Sequence, residues 1–162
     1  MIAKYAGRTA AVLSLVAGLA AAAGAQTQTV NFEVKPINQF SITSTAVTLT
    51  ITTATAGSDP TPVTDATSVW AVTTNQTNAK ISANIPTDMP AGVTLGVQLA
   101  APAGATSTAK NLASGTAQDL VTGITKVKGN ALTVTYTLSA TAAAGVIAAD
   151  SRVVTYTMTP GT

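Results

Sequence analysis

The chain has 162 residues, of which 46% are hydrophobic and only 9% charged, with neither histidine nor cysteine. That composition excludes disulfide staples, cysteine nucleophiles, histidine-based triads and most zinc or copper centres. The formal net charge of +2 is too small to track a phosphate backbone, so nucleic acid is excluded as a partner.

Residues 1–25 read as a cleavable secretory signal peptide. Lys4 and Arg8 supply the basic start, Thr9 to Ala22 the run of small and apolar residues, and Ala23-Gly24-Ala25 the small-x-small cleavage pattern. The competing reading is a retained membrane anchor, but the uncharged run is short and mostly alanine, whereas a span needs about 20 predominantly apolar residues. The mature protein is therefore expected to begin at Gln26, outside the cell or on its surface, with no membrane insertion after cleavage. Lys4 and Arg8 leave with the signal. The remainder balances Lys35, Lys80, Lys110, Lys126, Lys128 and Arg152 against Glu33, Asp59, Asp65, Asp88, Asp119 and Asp150. A neutral surface offers little repulsion between copies, which favours self-association. Residues 26–162 have the length of one domain, large enough to be stable without staples.

In chain order, the first expected strand is Val30 to Val34, with Val30, Phe32 and Val34 at alternate positions and Pro36 closing it off. Residues 26–35 thus form an N-terminal strand that either joins its own sheet or exchanges onto a neighbour's edge, which makes Val30, Phe32 and Val34 the candidate assembly residues. Next comes Val47-Thr48-Leu49-Thr50-Ile51-Thr52, where aliphatics and hydroxyls alternate, the pattern of a half-buried antiparallel strand. Further strands are expected at Ser68 to Thr73, Lys80 to Ile85, Val93 to Leu99 and Asp119 to Ile124. The alternation returns in Leu132 to Leu138 and in Val154 to Thr159. Turns are expected at Gly57 to Pro60, Asn75 to Asn78, Pro86 to Gly92 and Lys128-Gly129-Asn130. Ala100 to Ala117 reads as a long loop or a loop with a short strand around Leu112, and Ala140 to Ala149 as a crossing segment with room for a helical turn. The fold class is all-β: a Greek-key β-sandwich of about seven to eight antiparallel strands, immunoglobulin-like, with a closed barrel as the alternative.

The succession VNFEVKPINQFSIT, VTLTITTATAGSDPT, WAVTTN, LAAPAGATS and TVTYTLSAT…SRVVTYTMT resembles a group of short, cysteine-free secreted bacterial β-sandwich proteins of unassigned function. In style it is similar to fimbrial and biofilm-matrix fibre subunits. The resemblance implies a small secreted sandwich that polymerises by strand addition. The chain departs from chaperone–usher pilins in lacking their cysteine pair and in showing no clear missing strand.

The residue types able to carry chemistry are expected to have simpler duties. Asp59, Asp65, Asp88, Asp119 and Asp150 all lie beside expected turns, where aspartate bonds backbone amides. Calcium held by Asp59 and Asp65 is a lesser reading, because no second carboxylate cluster completes an oxygen shell. Trp70 is expected in the core, with stacking against a sugar as the alternative. Tyr136 and Tyr156 should pack inward with their hydroxyls at the rim. Lys126 and Lys128 should share one strand face as an edge charge. Asn75-Gln76-Thr77 matches a glycosylation sequon and reads as a turn. No catalytic, cofactor or metal site emerges, and the chain is not expected to be an enzyme. The expected function is a secreted structural protein that self-associates as a surface fibre, matrix or coat subunit. The alternative is an extracellular adhesion module recognising a glycan or another surface protein.

Overall fold

A computed structural model describes residues 24–43 and 46–162. The expected signal peptide lies almost wholly outside them. Nine strands run among the described residues: β1 (Asn38–Ile42), β2 (Val63–Thr74), β3 (Ala79–Asn84), β4 (Val93–Leu99), β5 (Thr106–Ser107), β6 (Lys110–Asn111), β7 (Gln118–Ile124), β8 (Val127–Ala140) and β9 (Thr155–Thr159). The fold is all-β, with two antiparallel sheets. The first sheet has the order β1-β2-β8-β4-β6 and the second β5-β7-β3-β9. From β2 onward, each successive strand belongs to the other sheet. Only β1 and β2 are neighbours both in sequence and in a sheet.

The register follows side-chain alternation. β8, at the centre of the first sheet, pairs with β2 from Val63↔Leu138 to Thr74↔Val127, and with β4 from Val93↔Ala140 to Leu99↔Val134. Alternate residues on these strands point inward: Trp70 and Val72 on β2, Leu95, Val97 and Leu99 on β4, Val134 on β8. They meet Ile81 and Ala83 of β3, and Leu120, Val121 and Ile124 of β7, in one apolar cluster shared by both sheets. Burying a Leu, Ile or Val side chain there contributes about 1.5–3 kcal/mol. Trp70 is 1% exposed and donates its indole N–H to the Ala100 carbonyl at 3.1 Å, so the core reading of the single tryptophan is right.

The structure differs from the sequence reading in five places. Val30 to Val34 is not a strand; the first strand is β1, eight residues further on in sequence. Val47 to Thr52 has the expected alternation, with Val47, Leu49 and Ile51 half-buried between exposed threonines, but it joins no ladder among the described residues. Lys128-Gly129-Asn130 is not a turn: these residues lie inside β8, Gly129 pairing with Val72, and the register shift between Trp70 and Val72 falls at Asn130 and Ala131, the latter at φ +52°. The turn is made by Thr125 and Lys126, the latter at φ +45°. Lys126 therefore precedes β8 and does not share a strand face with Lys128. Finally, Thr135 and Thr137 are half-buried, not exposed.

The uncertain segments resolve simply. Ala100 to Ala117 holds β5 and β6, with Leu112 buried directly after. Residues Ala142–Ala144 form one turn of 3-10 helix within the crossing segment. At the carboxyl end, Thr162 exchanges backbone hydrogen bonds with Thr77 at 2.8 and 3.0 Å. A Cβ on Gly161 would lie 1.7 Å from the Thr77 carbonyl oxygen, so only glycine permits this approach.

Candidate assembly surface

Asp59, Asp88 and Asp150 lie in connecting segments, as expected, whereas Asp65 stands inside β2 at a register shift of its pairing with β8. Asp59 accepts the Ala142 amide at 2.8 Å, Asp65 the amide and hydroxyl of Thr67, and Asp88 the Ser114 amide. Hydrogen bonds from Ser114 hold the Asp88 carboxyl below the usual carboxylate range, and those from Arg152 and Ser151 do the same for Asp150. Asp119 differs: it stands on β7 and pairs with Lys80 of β3 at 3.1 Å, a cross-strand partner that sequence spacing does not reveal. Among the described residues no three acidic groups gather as a metal cage. A cleft of about 510 Å³ beside Asp59, Gly92, Thr94 and Ser139 contains one carboxylate, already engaged by a backbone amide. The Asn75 to Asn78 stretch is a bend. Its Asn75 accepts the Ile37 amide and donates to the Lys35 carbonyl, tying down the start of β1.

Upstream of that tie, the apolar residues of the N-terminal segment are bare. Val30 is 71% exposed, Phe32 91% and Val34 75%. The expected exchangeable strand is thus an extended-pattern segment with its apolar positions in solvent and no strand ladder among the described residues. Val146, Ile147 and Val153, on the approach to β9, are the other strongly exposed aliphatics. Scattered exposed apolar residues are ordinary, whereas these three stand at alternate positions of one short segment.

The two flanks between the sheets are built differently. On one flank the chain steps from β5, an edge of the second sheet, directly to β6, an edge of the first. That crossing seals the flank, and Leu112 beside it is 6% exposed. The other flank is bordered by β1 and β9, each paired on one side only among the described residues. Their inward residues, Phe40, Ile42, Tyr156 and Met158, reach the core but stay only half-buried. Phe40 bridges the two edges, with its ring 6.0 Å from Trp70 and 6.3 Å from Tyr156. Tyr136 of β8 and Tyr156 of β9 join hydroxyls at 2.7 Å across the sheets, and burial together with this bond pushes the Tyr156 phenol well above the ordinary tyrosine range. Residues 46–52 come after β1 in the chain, and Leu49 among them packs against the core. They lie between two backbone hydrogen bonds, Thr43 N–H to the Val69 carbonyl of β2 and Thr61 N–H to the Thr53 carbonyl, each within 2.9 Å. Between those bonds they make no backbone hydrogen bond to another described residue.

Sequence patterning located Val30, Phe32, Val34 and the 47–52 alternation, but not the open β1/β9 flank, because a sheet edge is defined by the absence of a neighbour. No protein-family model, curated protein or solved structure matches this chain.

Proposed function

We propose that the protein is a non-enzymatic, secreted structural subunit that self-associates at the cell surface, as part of a fibre, matrix or coat. The observation that carries this reading is the row of Val30, Phe32 and Val34, exposed at alternate positions of a segment without a ladder. An apolar row of strand period in water is stabilised by joining a sheet edge, and the edges at hand are those of another copy. The zero net charge expected of residues 26–162 removes the repulsion that would oppose it.

The sheets are read here as an immunoglobulin-like Greek-key sandwich. What supports this is strand order: with β1, β2, β4 and β8 taken as A, B, D and E, the first sheet runs A-B-E-D, as in constant-type domains. With β3 and β9 taken as C and F, the second sheet lacks, among the described strands, the G strand that would follow F. β7 stands on the far side of β3.

Negative-stain microscopy and light scattering of the purified protein over a concentration series test the function. Linear or sheet-like polymers that grow with concentration are expected. A stable monomer at high concentration that instead binds a glycan on an array would favour the adhesion alternative.

A further inference from the structure

Resting on that reading of self-association, we propose that the β1/β9 flank is the acceptor site for the N-terminal segment of a second copy. The incoming strand runs beside the free edge of β9 and faces residues 46–52.

Three observations converge on this flank. The first is backbone chemistry. Residues 46–52 are half-buried on alternate positions, yet lack backbone partners among the described residues. Backbone amides and carbonyls in native proteins are nearly always paired, and those of a strand-like segment usually with another strand. The outer edge of β9 is open as well, since among the described residues β9 pairs only with β3. One added strand in the seam satisfies both.

The second is side-chain fit. The seam presents Phe40, Ile42, Leu49, Tyr156 and Met158, all half-buried and packed against the core. Val30, Phe32 and Val34 repeat at the same period of two that spaces Val47, Leu49 and Ile51. A strand placing those three inward covers the residues that the flank leaves half-wet. The occupant is thus a second copy of this chain. The third is length: β9 spans five residues, and Val30 to Val34 spans the same number.

The partner's segment enters as a strand, not as a loop, because Pro36 and the Asn75 clamp on Lys35 and Ile37 fix where the free portion ends. Each copy then offers one donor and one seam. Such head-to-tail contacts propagate without closing unless the rotation happens to form a ring.

The test uses two full-length variants and their mixture. Phe32→Asp removes the central donor residue at a 91% exposed position, leaving the seam intact. Leu49→Asp places a charge in the seam, leaving the donor intact. Each alone should remain monomeric at concentrations where the parent polymerises. Mixed in equal amounts they should give one-to-one dimers and nothing longer, because only one productive junction remains. Hydrogen exchange should show new amide protection at 30–34, 46–52 and 155–159 on assembly, and nowhere else of similar size. Should Leu49→Asp fail to fold, an excess of synthetic peptide Gln26 to Lys35 should block polymerisation of the parent, and the Phe32→Asp peptide should not.

Polymers that form but ignore Phe32→Asp discard the seam and leave self-association standing. Loss with Phe32→Asp but no new protection at 46–52 and 155–159 discards the acceptor assignment. Protection of those amides in an isolated monomer means the segment fills its own seam, which overturns exchange between copies. If the parent never assembles at any concentration, both this inference and the function it rests on fall.

Discussion

The two flanks between the sheets solve the same problem in opposite ways. At β5 and β6 the chain itself crosses from one sheet edge to the other, and the leucines nearby, Leu99, Leu112 and Leu120, are fully or almost fully buried. At β1 and β9 nothing among the described residues crosses, and the inward side chains remain half-exposed. The contrast teaches that burial in a two-sheet protein depends on what closes the edges as much as on hydrophobic content. Met158 and Ile42 are as apolar as Leu99 yet stay wet, because their outer neighbours are missing.

The sharpest way to break this comparison is to truncate matched residues on each flank. Leu120→Ala, at a site with 0% exposure, should cost about 2–5 kcal/mol through lost burial and a cavity. Met158→Ala on half-buried β9 should cost less than half of that. Urea titration of both variants checks it, and equal losses would mean the β9 flank is closed in solution.

A second, smaller effect tests the tyrosine pair that joins the sheets beside the open flank. Tyr136→Phe should cost about 1 kcal/mol, the net worth of one hydrogen bond. The Tyr156 phenol is raised above the ordinary 10.0 by burial and by its bond to Tyr136. The unfolded chain therefore releases this proton at lower pH than the folded one. The stabilisation is complete below about pH 10 and declines as pH rises beyond it. Alkaline unfolding should consequently shift to higher pH in Tyr156→Phe relative to its own neutral stability. An unchanged alkaline limb would show that another group controls it.

The smallest effect concerns the carboxyl end. Gly161→Ala forces the terminal pair with Thr77 apart and should cost about 1 kcal/mol, the scale of the hydrogen bonds lost. Faster exchange of the Thr77 amide, with the rest of the map unaltered, is the expected signature.

Much of this architecture was legible from residue order. Strict alternation placed Val93 to Leu99 correctly to the residue and found the centres of β2, β8 and β9. It also found the half-buried face of Val47, Leu49 and Ile51. It failed on pairing. Val30 to Val34 carries the same period as a strand and is not one here, while Asn38-Gln39-Phe40-Ser41-Ile42 hides its pattern among polar residues and pairs fully with β2. Period reports which face a side chain prefers, whereas a ladder needs a second backbone, and that backbone comes from a distant part of the chain. The Lys128-Gly129-Asn130 misreading has the same root: glycine marks a backbone irregularity, and only the opposing strand decides whether that is a turn or a bulge. For the candidate assembly surface, the donor pattern was visible and the open flank was not.

The alternation of consecutive strands between the two sheets has a consequence for how the fold is reached. Beyond the β1–β2 pair, no stretch of neighbouring strands can build a sheet on its own, because each next strand belongs to the opposite layer. β8, the partner of both β2 and β4, arrives late in the chain, and β3 gains its second neighbour only with β9. Nearly all the ladder contacts must therefore wait for long loops to close, which makes folding slow and the two layers mutually dependent. A chain emerging N-terminus first has no half-built intermediate to rest in. It remains threadable until its last strands appear, then commits to both layers at once.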